Sequence, residues 1–270
     1  MRVKTIRDNL QKIKSPKNRL IFFQSLIIPV ALIVFWDVSV RWAWIPNTLI
    51  ASPLQVALRF WEMLLSGEIL EHLSVSLWRL TTGFAIGTLL GTTIGALVGY
   101  SKTLARFLEP TILTLCPVPP IAWIPILIIL LGIDDASKIA LIAIAGFFTL
   151  FIQTAYSIRT TDKKLVEVGL VFEKSRMEML FQILLPSALP NILANIRLAL
   201  AFSWTLLMAS EIIASSKGMG WLIWHARNFS KSDEMIVGMI VIGISGKLTD
   251  LCVVLLEQRL TRWRRVYRDS

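Results

Sequence analysis

With 270 residues, 55% of them apolar, and a mean hydropathy of +0.66, the chain carries more apolar surface than a water-soluble domain of this size can hide. That excludes an ordinary soluble enzyme and leaves a polytopic membrane protein, whose formal net charge of +10 must be read along its spans. Two cysteines, Cys116 and Cys252, each sit in an apolar run without a metal-ligand or redox neighbour, which excludes a disulfide framework.

About 20 mainly apolar residues cover about 30 Å of hydrocarbon, and six such runs are predicted: about 20 to 41, 80 to 100, 108 to 131, 137 to 157, 189 to 213 and 235 to 256. All six are expected to be helical, because an open strand edge has no backbone partner in lipid and no barrel-like alternation is present. The predicted fold class is therefore all-α, a membrane helical bundle.

With the N-terminus placed inside, Lys and Arg number seven in 1–19, two in 101–106, five in 158–186 and five in 258–270. The outer segments hold only Arg41, Arg59, Arg79, Lys138, Lys217, Arg227 and Lys231, and Arg197 and Lys247 fall within spans. This bias is the positive-inside rule. Both termini are expected in the cytoplasm, and no basic face is left over for nucleic acid.

The chain starts with a basic segment, 1–19, and an apolar run, 20–41, that is too long for a signal core and precedes no small-residue cleavage site, so it is expected to remain as the first span. An extracytoplasmic segment follows, 42–79. In it Leu54, Ala57, Leu58, Trp61, Leu64 and Leu65 recur at helical spacing, between a Ser52-Pro53 start and a Ser66-Gly67 stop. This amphipathic helix either braces the bundle at the membrane surface or meets a protein that delivers the solute. From 80 to 257 runs the core transmembrane domain.

The third span carries Pro117, Pro119, Pro120 and Pro125, each removing a backbone donor, so a regular helix is not expected there. Broken backbone at membrane depth is tolerated where protein buries it or where it lines a wet cavity. Pro119, Pro120 and Trp123 are therefore candidates for a solute pathway, against the alternative of a kinked packing helix.

Between the fourth and fifth spans lies a charged, helix-prone island, EVGLVFEKSRMEMLFQILLP, from Glu167 to Pro186, within the cytoplasmic segment 158–186. Glu167, Glu173, Lys174, Arg176 and Glu178 alternate with Leu170, Val171, Phe172 and Met177, a pattern that seats apolar knobs in a groove while charges fix the register.

Span five contains Arg197, Ser203, Trp204, Met208 and Glu211, and span six Lys247 and Asp250. Charges inside a span cost about 2.5–3.5 kcal/mol each unless paired or wetted. At 1.5 Å per residue Arg197 lies roughly 13 Å and Asp250 roughly 10 Å from their cytoplasmic ends, so a cluster of Arg197, Lys247 and Asp250 is expected to tie the two spans, as structure or as an ion site. Glu211 lies near the outer end of span five, where a carboxylate reaches water as a gate or cap. Ser203, Trp204, Met208 and Glu211 share one broad helix face, which either lines a pathway or packs.

No catalytic or metal motif accompanies His72 and His225, and GISGKLT at 243–249 lacks the spacing of a phosphate loop. Uphill transport would therefore draw its energy from a partner.

Glu167, followed by Val168 and Gly169 and then by Ile183, Leu185 and Pro186, with Pro186 nineteen positions beyond Glu167, resembles the EAA loop of binding-protein-dependent ABC importer permeases. Val168 and Gly169 stand where that pattern has alanines, and Glu173 where it usually has glycine. SPLQV, SGEILEHLSVSLWRLTTGF, GIDDASK and GKLTDLCVVLLEQRLTRW extend the resemblance over residues 45 to 265, towards the subgroup importing aliphatic sulfonates, taurine and nitrate. It implies a type I importer fold and a non-catalytic, multi-pass permease of the bacterial inner membrane. Its implied partners are a second copy of itself, two cytoplasmic ATPase subunits that bind ATP and Mg, and a periplasmic or lipid-anchored solute-binding protein. The resemblance alone favours sulfonate over nitrate, taurine or bicarbonate. A secondary transporter or a membrane scaffold is the expectation from a different class.

Overall fold

The computed structural model describes residues 16–46 and 49–261, with side chains from 27 onward. Most of the expected segment 1–19, and the tail 258–270 beyond 261, lie outside the described residues. Among those described, regular structure is entirely helical: α1 (Pro16–Arg41), α2 (Pro53–Leu65), α3 (Glu68–Tyr100), α4 (Lys102–Leu115), a 3-10 turn at Pro120–Trp123, α5 (Ile124–Leu131) and α6 (Asp135–Arg159). Then come α7 (Lys163–Val171), a long α8 (Arg176–Ala214) with a π-helical stretch at Met179–Leu184, α9 (Met219–Asn228) and α10 (Ser232–Leu260).

Four of these helices, α3, α6, α8 and α10, are long and apolar enough to cross a membrane, or five spans result if α4 and the proline-started helix after it form one, against six expected. Two causes account for the difference. The first expected span falls on α1, a helix of 26 residues whose side chains are described only from Ile27. The third is not one helix: α4 and the Pro120–Leu131 segment meet at 87°, because the proline cluster removes consecutive donors. The expectation of irregular backbone there agrees with this bend.

The start of α2 follows its sequence signals. Ser52 and Gln55 form a reciprocal capping box with Pro53 in the first turn, and the chain turns at Gly67 with φ of +82°. Leu54, Leu58, Trp61 and Leu65 remain exposed on its outer side, while Val56 and Met63 are buried against Met219, Leu222, Val237 and Val241 of α9 and α10.

At the centre, α3 and α6 run parallel at very short range. Gly83, Gly87, Gly91, Gly95 and Gly99 recur every fourth residue, and a Cβ placed on any of them would lie 2.5 to 2.9 Å from the carbonyl oxygen of Ile139, Ala143, Phe147, Phe151 or Ala155 respectively. Without a hydrophobic drive between helices in lipid, such backbone proximity supplies the dispersion contacts that hold them together. The opposite direction of α8 places Leu200, Trp204 and Leu207 on Leu80 and Ile142 in mid-bundle. At the far end Ala96 and Ile158 pack with Met179, Leu180, Leu184, Ala188 and Ile192.

Candidate functional site

The island between α6 and α8 is a rigid, capped structure. Phe172 N donates to Val168 O at 3.1 Å, Glu173 N to Leu170 O at 3.0 Å and Lys174 N to Gly169 O at 3.1 Å, the closure of a Schellman turn that satisfies the last carbonyls of α7. Its pivot is Glu173, at φ of +49°, a left-handed position where glycine carries no Cβ penalty. A second capping box, between Ser175 and Glu178, starts α8. Ahead of Pro186 the ladder widens to a π turn, in which Leu185 N donates five residues back to Leu180 O.

Gly169 mounts this structure on the bundle, since a Cβ there would fall 2.5 Å from Ile183 Cδ1 and 2.6 Å from Met179 Cε. Leu185 packs beside the same cluster. The other face stays open: Val168, Leu170 and Met177 are exposed, with Val171 at 79% and Phe172 at 71% of full exposure, and Glu167, Glu173 and Arg176 are exposed around them. The expected loop residues thus divide into an inner set that docks (Gly169, Ile183, Leu185) and an outer set that is presented.

At the opposite end of the bundle, Glu211 is fully buried. Ser76 Oγ lies 2.8 and 2.9 Å from its two oxygens, Arg79 Nη1 donates to Oε1 at 2.9 Å, and Gly220 N donates to Oε2 at 2.8 Å. The water-facing gate or cap expected of Glu211 is therefore corrected to an interior staple. Residues 215–220 fold back over it, and Gly220 allows this because a Cβ would sit 2.8 Å from Glu211 Cβ. Ser76 Oγ also accepts from Met219 N at 2.8 Å, and His72 Nδ1 from Gly218 N at 3.1 Å.

Arg79 connects three spans. Its Nη1 reaches Glu211 of α8, Ser215 Oγ at 3.1 Å and Lys217 O at 2.7 Å. Its Nε and Nη2 both point to Asp135 Oδ1 of α6, at 2.8 and 2.7 Å. Beside this group opens a cavity of about 500 Å³, lined among others by Arg79, Asp135, Lys138 and Lys217.

Among the described residues, the expected pathway residues face different neighbours. Ser203 is buried and bonds its own helix through Ala199 O at 2.8 Å, and Met208 is half-buried against the α2/α9 cluster. Trp204 donates from Nε1 to Thr249 Oγ1 at 3.0 Å and borders a 260 Å³ cavity with Arg197 and Asp250. A helix arc as broad as 203–211 faces three neighbours, so its residues separate. Pro119 is exposed, Pro120 is half-buried, and Trp123 packs on Ile124, Leu127 and Leu141 with its buried Nε1 unpartnered among the described residues.

Between α8 and α10 the side chains of Arg197, Lys247 and Asp250 lie close together. Arg197 forks onto Asp250 with Nε–Oδ1 at 2.9 Å and Nη2–Oδ2 at 3.2 Å, Lys247 Nζ stands 3.5 Å from Asp250, and Glu257 lies 4.0 Å from Arg197. On α2, outside the spans, partial burial works against the charge of Arg59, but hydrogen bonds to Glu62 and Glu234 raise its pKa above the ordinary arginine value. Sequence reasoning missed Arg79 and Ser76, having started the second span at residue 80, and Asp135, having started the fourth at 137, and it missed the glycine stripe although its four-residue period is visible in the letters.

Residues 87–266 match the family model described as binding-protein-dependent transport system inner membrane component. The chain is 39% identical over 264 residues to the putative aliphatic sulfonates transport permease protein SsuC of Bacillus subtilis, covering 98% of this chain and 95% of that protein. It is 30% identical to the taurine transport system permease protein TauC of Escherichia coli, over 92% of each. Among solved structures, an inward-facing form of the MetNI methionine ABC transporter superposes with a TM-score of 0.62 at 15% identity, over 69% of this chain and 93% of that one. At that identity the likeness speaks for the fold alone.

Proposed function

The chain belongs to the family of binding-protein-dependent transport system inner membrane components, and from that premise we propose that it forms the transmembrane pathway of an ATP-driven importer for a small oxyanion, an aliphatic sulfonate in the first place. As a member of that family it is a non-catalytic permease subunit without a resident cofactor. ATP and Mg belong, in this reading, to two copies of a separate ATPase. A second copy of this chain completes the pathway in the inner membrane, and a solute-binding protein presents the anion on the outer side.

The observation that carries the proposal is the exposed apolar face of the island, Val168, Leu170, Val171, Phe172 and Met177, held rigid by two caps and docked through Gly169. A loop with no partner gains nothing from a fixed apolar face in water, whereas a handle needs one. The bias of Lys and Arg supports a cytoplasmic position for it, with both termini on the same side. Closure of two ATPases around bound ATP then draws the handles together, and rigid movement of the spans switches the side to which the pathway opens. The named substrates of the two relatives, aliphatic sulfonates and taurine, share a sulfonate group, which supports testing that class first.

The test is uptake of a labelled alkanesulfonate by cells carrying the whole transporter. Phe172→Asp is expected to leave the chain in the membrane while abolishing both co-purification of the ATPase and uptake. Uptake that persists without the ATPase or the binding protein would refute the importer and favour a secondary transporter. A ligand screen on the cognate binding protein decides among the anions.

A further inference from the structure

Among the described residues, Arg79 is one of two buried cations at the outer end of the bundle, and its two edges are used unequally. The Nη1 side is fully committed inward, to Glu211, Ser215 and the Lys217 carbonyl. The Nε/Nη2 edge is the fork that ordinarily holds two oxygens of a carboxylate or phosphate. Here Nε donates to Asp135 Oδ1 at 2.8 Å while Nη2 stands in ion-pair contact with that same oxygen at 2.7 Å, and no hydrogen bond reaches Oδ2 among the described residues.

The two carboxylates on Arg79 also differ in accessibility. Glu211 is 0% exposed and Asp135 48%, against 6% for Arg79 itself. Glu211 is thus a permanent counter-ion, and Asp135 a partner that water and solute can reach from the 500 Å³ cavity. A second buried cation borders the same space: Lys138 is 3% exposed, and its Nζ donates to the carbonyls of Ile133 and Asp134, with no carboxylate within 4.0 Å among the described residues. Two of its three donors are used. Lys217 at the rim is paired with Glu71.

We propose that this cavity is an oxyanion way-station, in which a small free anion displaces Asp135 from the Nε/Nη2 edge of Arg79 and takes a further donor from Lys138. A sulfonate offers separate oxygens to Nε and Nη2 where Asp135 offers one, and a cavity of this size admits its alkyl tail. Glu211 balances the charge of Arg79 throughout, and Asp135 occupies the Nε/Nη2 edge when no solute is present, so those donors are not left unpaired. Displacement loosens the tie between α3 and α6 at their outer ends, so solute arrival is registered where those helices begin. This inference rests on the reading of the chain as an oxyanion importer.

The experiment is calorimetric titration of methanesulfonate, and of its neutral isostere dimethyl sulfone, into the full chain in lipid nanodiscs. Saturable binding is expected for methanesulfonate only. Asp135→Asn preserves shape and removes the competing charge, and is expected to tighten Kd about tenfold. Lys138→Met is expected to weaken it by about the same factor. Thermal midpoints measured alongside report whether each variant remains folded. Absence of binding by wild type and by Asp135→Asn, equal binding of the sulfone, or weaker binding by folded Asp135→Asn each overturns the proposal. It is also overturned if Asp135→Asn alters only the affinity of anion-free binding protein for the permease, since a partner carboxylate then occupies the edge. ATPase-dependent uptake without anion binding would sink this inference and leave the importer standing, whereas ATPase-independent uptake would sink the importer itself.

Discussion

Replacing Gly87 by alanine tests whether the α3/α6 pair is held by backbone proximity. The added Cβ would stand 2.5 Å from Ala143 O, where ordinary contact begins near 3.4 Å, so the helices must open by about 0.9 Å at that point. No rotamer change can relieve this, because the obstacle is backbone on a helix that also meets Gly83, Gly91, Gly95 and Gly99 every fourth residue. Opening one step therefore weakens its neighbours. Overpacking of this kind costs about 1–3 kcal/mol, and the intrinsic helix gain of alanine over glycine offsets roughly 1 kcal/mol of it. Gly246→Ala in α10 is the matched control, since nothing lies within 4 Å of its Cβ and only the gain applies. The purified chain carrying Gly87→Ala is expected to melt below wild type, and Gly246→Ala at or above it, in one detergent. Equal or inverted melting of the two variants would refute the argument.

Three further substitutions probe other parts of the molecule. Glu173→Gly removes the side chain from a left-handed position at φ of +49°, relieving about 1–2 kcal/mol against an entropy cost of glycine of about 0.5–1 kcal/mol, and is expected to stabilise the turn by about 0.5–1 kcal/mol, with ATPase co-purification retained; loss of co-purification would show that the carboxylate itself touches the partner. Arg197→Asp and Asp250→Arg are each expected to lower membrane accumulation and to restore it when combined, because the two side chains fork onto each other; absence of rescue would remove the pairing. Trp123→Phe deletes a buried N–H that has no acceptor among the described residues, so stability measured by thermal melting is expected to hold or rise. A loss greater than about 1 kcal/mol would show that this donor is bonded in the assembled protein.

Legibility in the sequence followed the range of the interactions. α2 was readable at both ends because Ser52, Pro53, Ser66 and Gly67 act within a few residues of themselves. The cores of α6, α8 and α10 were readable from hydropathy, but their ends were not, since helices continue past the hydrocarbon: 189–213 is only part of Arg176–Ala214, and 80–100 only part of Glu68–Tyr100. That cut placed Arg79 in a loop. The Arg197–Asp250 pair was found by counting depth on two antiparallel spans, which needs no knowledge of how helices pack. Arg79, Asp135 and Glu211 lie 56 and 132 residues apart and meet only once α3, α6 and α8 are stacked, so neither depth nor periodicity announces them. The same limit dispersed the expected pathway face, because which neighbour covers Ser203, Trp204 or Met208 is a property of the bundle.

These contacts also bear on where a permease of this build can move. α3 and α6 share a continuous backbone contact, and α8 is tied to both at one end through the Glu211–Arg79–Asp135 group and at the other through Ala96, Ile158, Met179, Leu180 and Leu184. The island rests on that second cluster through Gly169. A force applied to Phe172 or Val171 is therefore delivered to three spans together, since tightly packed interfaces transmit strain and do not absorb it. The remaining spans are attached differently. α10 meets α8 through the half-exposed Arg197–Asp250 fork and the Trp204–Thr249 hydrogen bond, with Ile242 and Val253 packed on the Leu200, Trp204 and Leu207 cluster. α4 and α5 are joined by an 87° proline bend. Under the proposed function, α3, α6 and α8 move as one block against α10, and the bent pair rides with that block, since Ile124 and Leu127 pack on Leu141, Ala145 and Leu206 and Arg159 forks onto Glu109.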